Sequence, residues 1–201
     1  MTIRLMTGLG IATAVLAAPA MAQSVDPARA PVQALSDGLI KIMKGGSRLG
    51  FQGRASEIAP VIDRAFDLPF MARASVGPSW NNATAADRAQ LIASFRKLTI
   101  NQYSSNFDSY AGQQFVVDPK VETRGTDKLV KTTLTQPHGE SVAIAYRLRQ
   151  AGGEWKIIDV FYRNSISQLA TRRDDFQGIV GKGGVRALIG HVNQLADKAA
   201  S

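Results

Sequence analysis

The 201-residue sequence contains no cysteine, and this absence excludes both disulfide bonds and thiol chemistry. The fold must therefore be stabilised by the packing of its side chains alone. Histidine is nearly absent as well. His138 and His191 have no partner at the spacing of metal ligands, so the sequence predicts no metal site.

The motifs of several enzyme classes are also missing. The sequence has no G-x-S-x-G nucleophile elbow. Its glycine-rich run at 181–184 has neither the upstream glycine nor the serine or threonine that a phosphate-binding loop requires. These patterns predict no cofactor and no nucleophilic catalytic residue.

The first 22 residues have the pattern of a secretory signal peptide. A single arginine, Arg4, precedes an apolar run at 9–18, and Ala20-Met21-Ala22 fits the recognition triplet of signal peptidase. The run is too short to span a bilayer, and no cysteine follows the expected cut after Ala22, so no lipid anchor is expected. We therefore predict a periplasmic protein whose single mature domain spans residues 23–201.

The chain is basic, with a formal net charge of +8. The basic residues do not form a block of five or more, and no basic-aromatic motif of a nucleic-acid-binding module is present, so we expect no nucleic-acid partner. In an exported protein the alternatives are anionic lipid head groups, an envelope polymer or an acidic protein surface. The charge could equally serve only to keep the protein soluble.

Apolar periodicity predicts an α+β fold. Helical spacing occurs in two segments before residue 66, in a short helix between Asp67 and Gly77, and in a long helix that Thr84 begins. From Gln114 the period changes to two, which predicts a four-stranded antiparallel meander. Helical spacing returns at 174–180 and at 185–195, so helices flank the sheet on both sides in sequence.

The hairpin at 142–162 has two usable faces. Its Gly152-Gly153 turn favours a register in which Ala151 lies opposite Glu154. In that register Tyr146 lies opposite Asp159 on a large apolar face. The second face would carry small and apolar residues far from the turn, and it must be covered by helices or by a ligand. Its residues far from the turn are Ala143, Ala145, Ile158, Val160 and Tyr162.

Asp159 allows two interpretations. Beside Tyr146 it could act as the general base of a small cone-shaped α+β enzyme, because burial would raise the pKa of its carboxyl. Alternatively it accepts hydrogen bonds from Tyr146, Trp155 or a helix N-terminus and joins two layers of the fold. We favour the structural interpretation.

Five segments of the chain, taken in order, resemble those of a known family. The segments are FDLPFMARASVGPSW, TAADRAQLIASFRKLTINQYSSNF, AYRLRQAGGEWKIIDVFY, RRDDF and GGVRALIGHVNQL. They resemble the toluene-tolerance or MlaC family of periplasmic lipid shuttles, and the resemblance covers residues 60–196. Asn164, Arg172 and the run at 166–169 look closest to the HpnM branch associated with hopanoid biosynthesis.

The resemblance implies a carrier without catalytic activity, which moves a phospholipid or hopanoid between an inner-membrane ABC transporter and an outer-membrane partner. The apolar part of the lipid would lie in a cavity between the sheet and the helices. We predict the following cavity residues: Phe70, Met71, Phe95, Leu98, Tyr103, Ala143, Ala145, Val160 and Tyr162. Contacts with head groups, partners or transiently the membrane surface are predicted for Arg147, Arg149, Lys156 and Arg173. A transport-system adaptor that binds no lipid remains the alternative.

Overall fold

The computed structural model describes residues 25–201, so the predicted signal peptide lies outside the described residues. Four α-helices and a five-stranded sheet confirm the α+β prediction. The helices are α1 (Arg29–Ala65), α2 (Leu68–Val76), α3 (Ala85–Asn106) and α4 (Gln168–Lys198), with a short 3-10 helix at Gly77–Asn82. The strands are β1 (Gln114–Arg124), β2 (Asp127–Thr135), β3 (Val142–Ala151), β4 (Glu154–Tyr162) and β5 (Ile166–Ser167). Within residues 25–201 no helix has the length and apolar character needed to cross a bilayer.

The sheet is an antiparallel meander in which the strands lie side by side in chain order. The predicted four strands are present, and the two-residue β5 pairs with the end of β4. The pairing of β1 with β2 is interrupted between Val117 and Val121. Pro119 lies within this interruption on an edge strand, a position where a missing N–H disturbs no ladder.

α1 consists of two helical segments joined at a kink. Gly46 has φ of +46° and Gly50 has φ of +60°, backbone conformations that residues with a Cβ rarely adopt. The predicted break at 45–47 is confirmed, but helical structure resumes sooner than expected. The buried Arg54 stabilises the kink, because it donates to the carbonyl of Gly46 at 3.1 Å and to that of Ser104 in α3 at 2.9 Å.

Side-chain caps define the starts of the next helices. Asp67 accepts a hydrogen bond from the Phe70 N–H at 3.0 Å, and Thr84 accepts one from the Asp87 N–H at 3.1 Å, as the sequence predicts. The predicted start of the helix after the sheet, at Asp174, is wrong. α4 begins at Gln168, because the Ser167 hydroxyl caps it, and the helix is interrupted at Gly184.

The hairpin of β3 and β4 contains a bulge that changes its faces. Ala151 lies opposite Glu154, as predicted, and Leu148 lies opposite Ile157. The next pair is Arg147 with Asp159, so Ile158 is an extra residue that shifts the alternation of β4 by one. Beyond the bulge Tyr146 lies opposite Val160 rather than Asp159, and the predicted composition of both faces is wrong there.

The core lies between one face of this sheet and the helices. α1 packs against β1 and β4, and α3 packs against α1 and α4. Tyr146 is 2 % exposed and is the largest of the fully buried side chains in the described part of the chain. From the sheet, Val130, Leu148 and Ile157 join it in the same apolar cluster as the buried helical residues.

The opposite face of the sheet carries a charge cluster centred on Asp127, whose side chain is 1 % exposed. Its carboxylate accepts from Arg149 Nε at 2.7 Å and from Arg147 Nε at 2.6 Å. These hydrogen bonds, first that from Arg149, hold the pKa of Asp127 below its usual value although burial opposes the shift.

Acid should therefore destabilise the protein through Asp127. A carboxyl whose pKa is lower in the folded chain stabilises the fold above its unfolded pKa, and this contribution is lost as the pH falls through the folded value. We expect the free energy of unfolding, measured with urea, to decline from about pH 4 downwards. The decline should be shallower in Asp127→Asn. An equally steep decline in that variant would contradict the assignment to Asp127.

Candidate functional site

A cavity of about 550 Å³ lies between the sheet and the helices. One side of it is formed by β2, β3 and β4, and the other by α2, α3 and the first turns of α4. Its exposed residues Asn106, Tyr162 and Gln168 mark the end at which it meets solvent. The lining residues are Phe66, Met71, Thr99, Gln102, Tyr103, Asn106, Phe107, Leu134, Val142, Ile144, Tyr146, Val160, Tyr162, Gln168 and Arg172.

The sheet side of the cavity is apolar. β3 contributes Val142, Ile144 and Tyr146 at alternate positions, which places all three on one face. Val160 lies directly opposite Tyr146, and Tyr162 directly opposite Ile144. The bulge at Ile158 therefore brings the end of β4 to the cavity.

A row of aromatic rings forms the wall between the sheet and α3. The ring centroids of Phe66 and Tyr103 are 5.8 Å apart, and those of Tyr103 and Phe107 are 5.9 Å apart with nearly parallel planes. Phe115 continues the row from β1 at 6.0 Å. Burial raises the pKa of Tyr103 and that of Tyr146, so both hydroxyls stay protonated and can serve only as neutral hydrogen-bonding groups.

The helical side of the cavity combines apolar side chains with polar groups. α3 contributes Thr99, Gln102 and Asn106, and α4 contributes Gln168 and Arg172. The Arg172 guanidinium donates to the Gln102 side-chain oxygen and lies 4.8 Å from the centre of the Phe95 ring. The cavity therefore has an apolar sheet wall and a helical wall on which hydrogen-bonding groups lie beside aromatic rings, as suits an amphipathic ligand.

A second space, of about 710 Å³, lies beside the α1 kink but has a different character. It is a surface groove whose lining includes Lys44, Arg48, Arg54 and Asp108 together with the backbone of the kink. Arg54 is already used in hydrogen bonds to two carbonyls. Although this groove is larger, its lining is mostly polar, whereas the cavity between the sheet and the helices has the apolar side chains that an apolar ligand needs.

Comparisons with known proteins agree with this geometry. The family model described as MlaC protein matches residues 33–194, a range that includes every residue lining the cavity. The chain belongs to the MlaC family. A solved structure with the same fold is the phospholipid-binding protein from Ralstonia solanacearum in complex with a phospholipid, with a TM-score of 0.76 and 22 % identity. The similarity covers 88 % of this chain and 100 % of that one. A search of curated proteins gave no match.

In this MlaC-family chain, four of the nine predicted cavity residues line the cavity: Met71, Tyr103, Val160 and Tyr162. Their contact with a lipid stays a prediction. Phe95 and Leu98 are buried in the core behind the cavity wall. Phe70 lies outside the cavity, with the Arg149 guanidinium 5.1 Å from its ring centre.

Ala143 and Ala145 are on the opposite face of the sheet, so their predicted position beside Val160 and Tyr162 is wrong. Ala145 lies opposite Phe161 and belongs to a separate shallow pocket on that face. The cause is the bulge at Ile158. Sequence reasoning also missed Ile144 and Tyr146 as lining residues for the same reason. The adjacent aliphatic residues Ile157-Ile158, in a strand that otherwise alternates, were the available signal.

Three of the four predicted basic contact residues lie together on the β3–β4 hairpin, where Arg149 is directly opposite Lys156, whereas Arg173 is on α4. Arg147 and Arg149 are paired with Asp127. Lys156 donates to the carbonyl of Arg64 at 2.7 Å, and the exposed Arg173 lies beside Gly77. Their contact with head groups or partners stays a prediction.

Asp159 joins β4 to α4. Its Oδ1 accepts from the N–H groups of Val160 at 2.8 Å and Leu169 at 3.1 Å, and its Oδ2 accepts from the Ser167 hydroxyl at 2.6 Å. This is the helix N-terminus contact of the structural interpretation. The predicted placement opposite Tyr146 is wrong, so the proposed acid-base pair is not assembled. Within residues 25–201 no three acidic or histidine side chains cluster as metal ligands would.

Proposed function

We propose that this protein is a periplasmic lipid carrier that holds the apolar part of a phospholipid or a hopanoid in the cavity between the sheet and α3. The observation that carries the proposal is the amphipathic lining of that cavity, with an apolar sheet wall facing polar side chains of α3 and α4. The phospholipid bound to the R. solanacearum protein of the same fold supports the choice of ligand.

The energetics favour an occupied cavity. An apolar space that stays empty costs stability, because its lining loses dispersion contacts. A lipid that removes about 300 Å² of apolar surface from water gains about 7 kcal/mol before the entropic costs of binding. The cavity is within the size range of pockets that enclose small ligands, so part of a larger lipid would extend towards solvent at Tyr162.

The carrier would act in the periplasm after cleavage behind Ala22, with one mature domain from residue 23. It would receive its cargo from, or deliver it to, an inner-membrane ABC transporter and an outer-membrane partner. The basic residues Arg147, Arg149, Lys156 and Arg173 are candidates for contacts with these partners or with head groups. Membership of the MlaC family supports this route.

Mass spectrometry of organic extracts tests the proposal most directly. The protein should be purified without detergent from a host that makes both phospholipids and hopanoids. We expect close to one lipid per protein chain, and the masses identify its class. Protein stripped of lipid by organic extraction and refolded should regain the same class from mixed vesicles. Protein that carries no lipid in either preparation would favour the adaptor that binds no lipid.

A further inference from the structure

Among the described residues that line the cavity, Arg172 alone has a charged side chain. It extends from the second turn of α4, with its guanidinium beside the Phe95 ring and one hydrogen bond to Gln102. A guanidinium has five N–H donors in a planar fork, so Gln102 satisfies only part of its capacity. The remaining donors are available to a ligand in the cavity.

In the described part of the chain this guanidinium has no carboxylate partner. Among residues 25–201, Tyr103 is the ionisable group whose proximity influences it. Burial lowers the pKa of Arg172, which means that its charged form is poorly solvated. Arg147 and Arg149, in contrast, share the carboxylate of Asp127. Because an unpaired charge in a partly buried site is costly, an anionic group in the cavity would be bound strongly.

The neighbours of Arg172 are suited to the same kind of group. Gln168 precedes it by one helical turn on α4, and Gln102 and Asn106 lie one turn apart on α3. Their amides provide further N–H donors on the helical side, and none of the described lining residues is acidic. A ligand with its apolar part along Ile144 and Val160 would therefore place its polar end beside Arg172.

We propose that Arg172 binds the phosphate group of the cargo lipid and makes the cavity selective for phospholipids over uncharged lipids of the same chain length. This inference rests on the proposed carrier function and adds the chemical class of the cargo. An uncharged hopanoid would leave the guanidinium without a counter-charge, so it is the disfavoured cargo. Phosphate is preferred because the planar fork of arginine matches its oxygens.

A matched pair of single-chain lipids tests the proposal on the delipidated full mature chain. The probes are 1-oleoyl lysophosphatidate and 1-oleoylglycerol, which differ only in the phosphate, each used below its aggregation concentration. The variants are Arg172→Gln, Arg172→Lys and, as a control with the same change in charge on the same helix, Arg186→Gln. The Arg186 side chain is 81 % exposed and is not among the residues that line the cavity.

The expected readout is the ratio of the two dissociation constants. The wild type and Arg186→Gln should bind the lysophosphatidate at least about tenfold more tightly than the oleoylglycerol, the loss typical of a charged hydrogen bond. Arg172→Gln should bring the ratio close to one while leaving oleoylglycerol binding unchanged. Arg172→Lys should restore part of the preference, because it keeps the charge without the planar fork.

Each other outcome overturns the inference. An unchanged ratio in Arg172→Gln would mean that the charge of Arg172 does not recognise the phosphate. An equal loss of affinity for both lipids would mean that Arg172 only supports the cavity wall. Inorganic phosphate that alone binds as tightly as the lysophosphatidate, in an Arg172-dependent manner, would identify a site for the free ion. If the wild type binds both probes equally, only the role of Arg172 fails. If it binds neither, the carrier function itself fails.

Discussion

Val160→Trp should deprive the purified protein of most of its lipid while leaving it folded. Val160 lies on the cavity face of β4, directly opposite Tyr146, so an indole at this position occupies space that the ligand needs. A lipid excluded from about 100 Å² of apolar wall loses about 2.5 kcal/mol, which is about 60-fold in affinity. The lipid-to-protein ratio by mass spectrometry and the binding of a fluorescent fatty-acyl probe measure the effect.

Ala143→Trp is the matched control. It adds a larger increment of volume to the same sheet, but on the face away from the cavity, since Ala143 immediately precedes Ile144 in β3. Lipid content should stay at the level of the wild type. A loss of lipid in Ala143→Trp together with normal loading of Val160→Trp would mean that the ligand occupies the opposite face of the sheet, and the proposed binding site would be wrong.

Asp159→Ala should lower the free energy of unfolding by about 3 kcal/mol, because a buried acceptor of three hydrogen bonds is removed. Asp159 is 6 % exposed, and the loss of its carboxylate leaves the Leu169 N–H at the start of α4 without its partner. Since Gln168 and Arg172 lie in these first turns, lipid binding should weaken as well. Urea unfolding followed by circular dichroism measures the stability change.

Asp159→Asn removes the charge of Asp159 but keeps most of its hydrogen-bonding capacity. The asparagine oxygen can still accept from the N–H groups of Val160 and Leu169, so the loss should be only about 1 kcal/mol. Lipid binding should be nearly that of the wild type. If Asp159→Ala were as stable as the wild type, the contact between β4 and α4 would not contribute to stability in the way its geometry indicates.

Local sequence signals predicted much of the fold. The side chains of Asp67 and Thr84 cap the helices that they were expected to cap, because a cap depends on residues three positions away. The Gly152-Gly153 turn has the predicted register at Ala151 and Glu154, because a two-residue turn determines its nearest pairs. The order of the segments also predicted the MlaC family, which the family model confirms.

The composition of the cavity was less predictable. A single extra residue at Ile158 exchanges the faces of β4 beyond it, and a strict alternation of two cannot represent such an insertion. Ala143 and Ala145 were therefore assigned to the wrong face, although the small size of their side chains suggested space for a ligand. The sequence likewise marks Arg172 only as a position that resembles one branch of the family, and it predicts head-group contact for the neighbouring Arg173.

Sequence patterns alone predict the succession of helices and strands, the caps of α2 and α3 and the start of the hairpin register, because these depend on residues close together in the chain. Which side chains share the cavity depends on how distant segments pack together. The bulge at Ile158 turns Val160 and Tyr162 towards α3, and Asp127 pairs with Arg147 and Arg149 on the other face. The start of α4 at Gln168 then brings Arg172 to the cavity, a contact between segments distant in sequence.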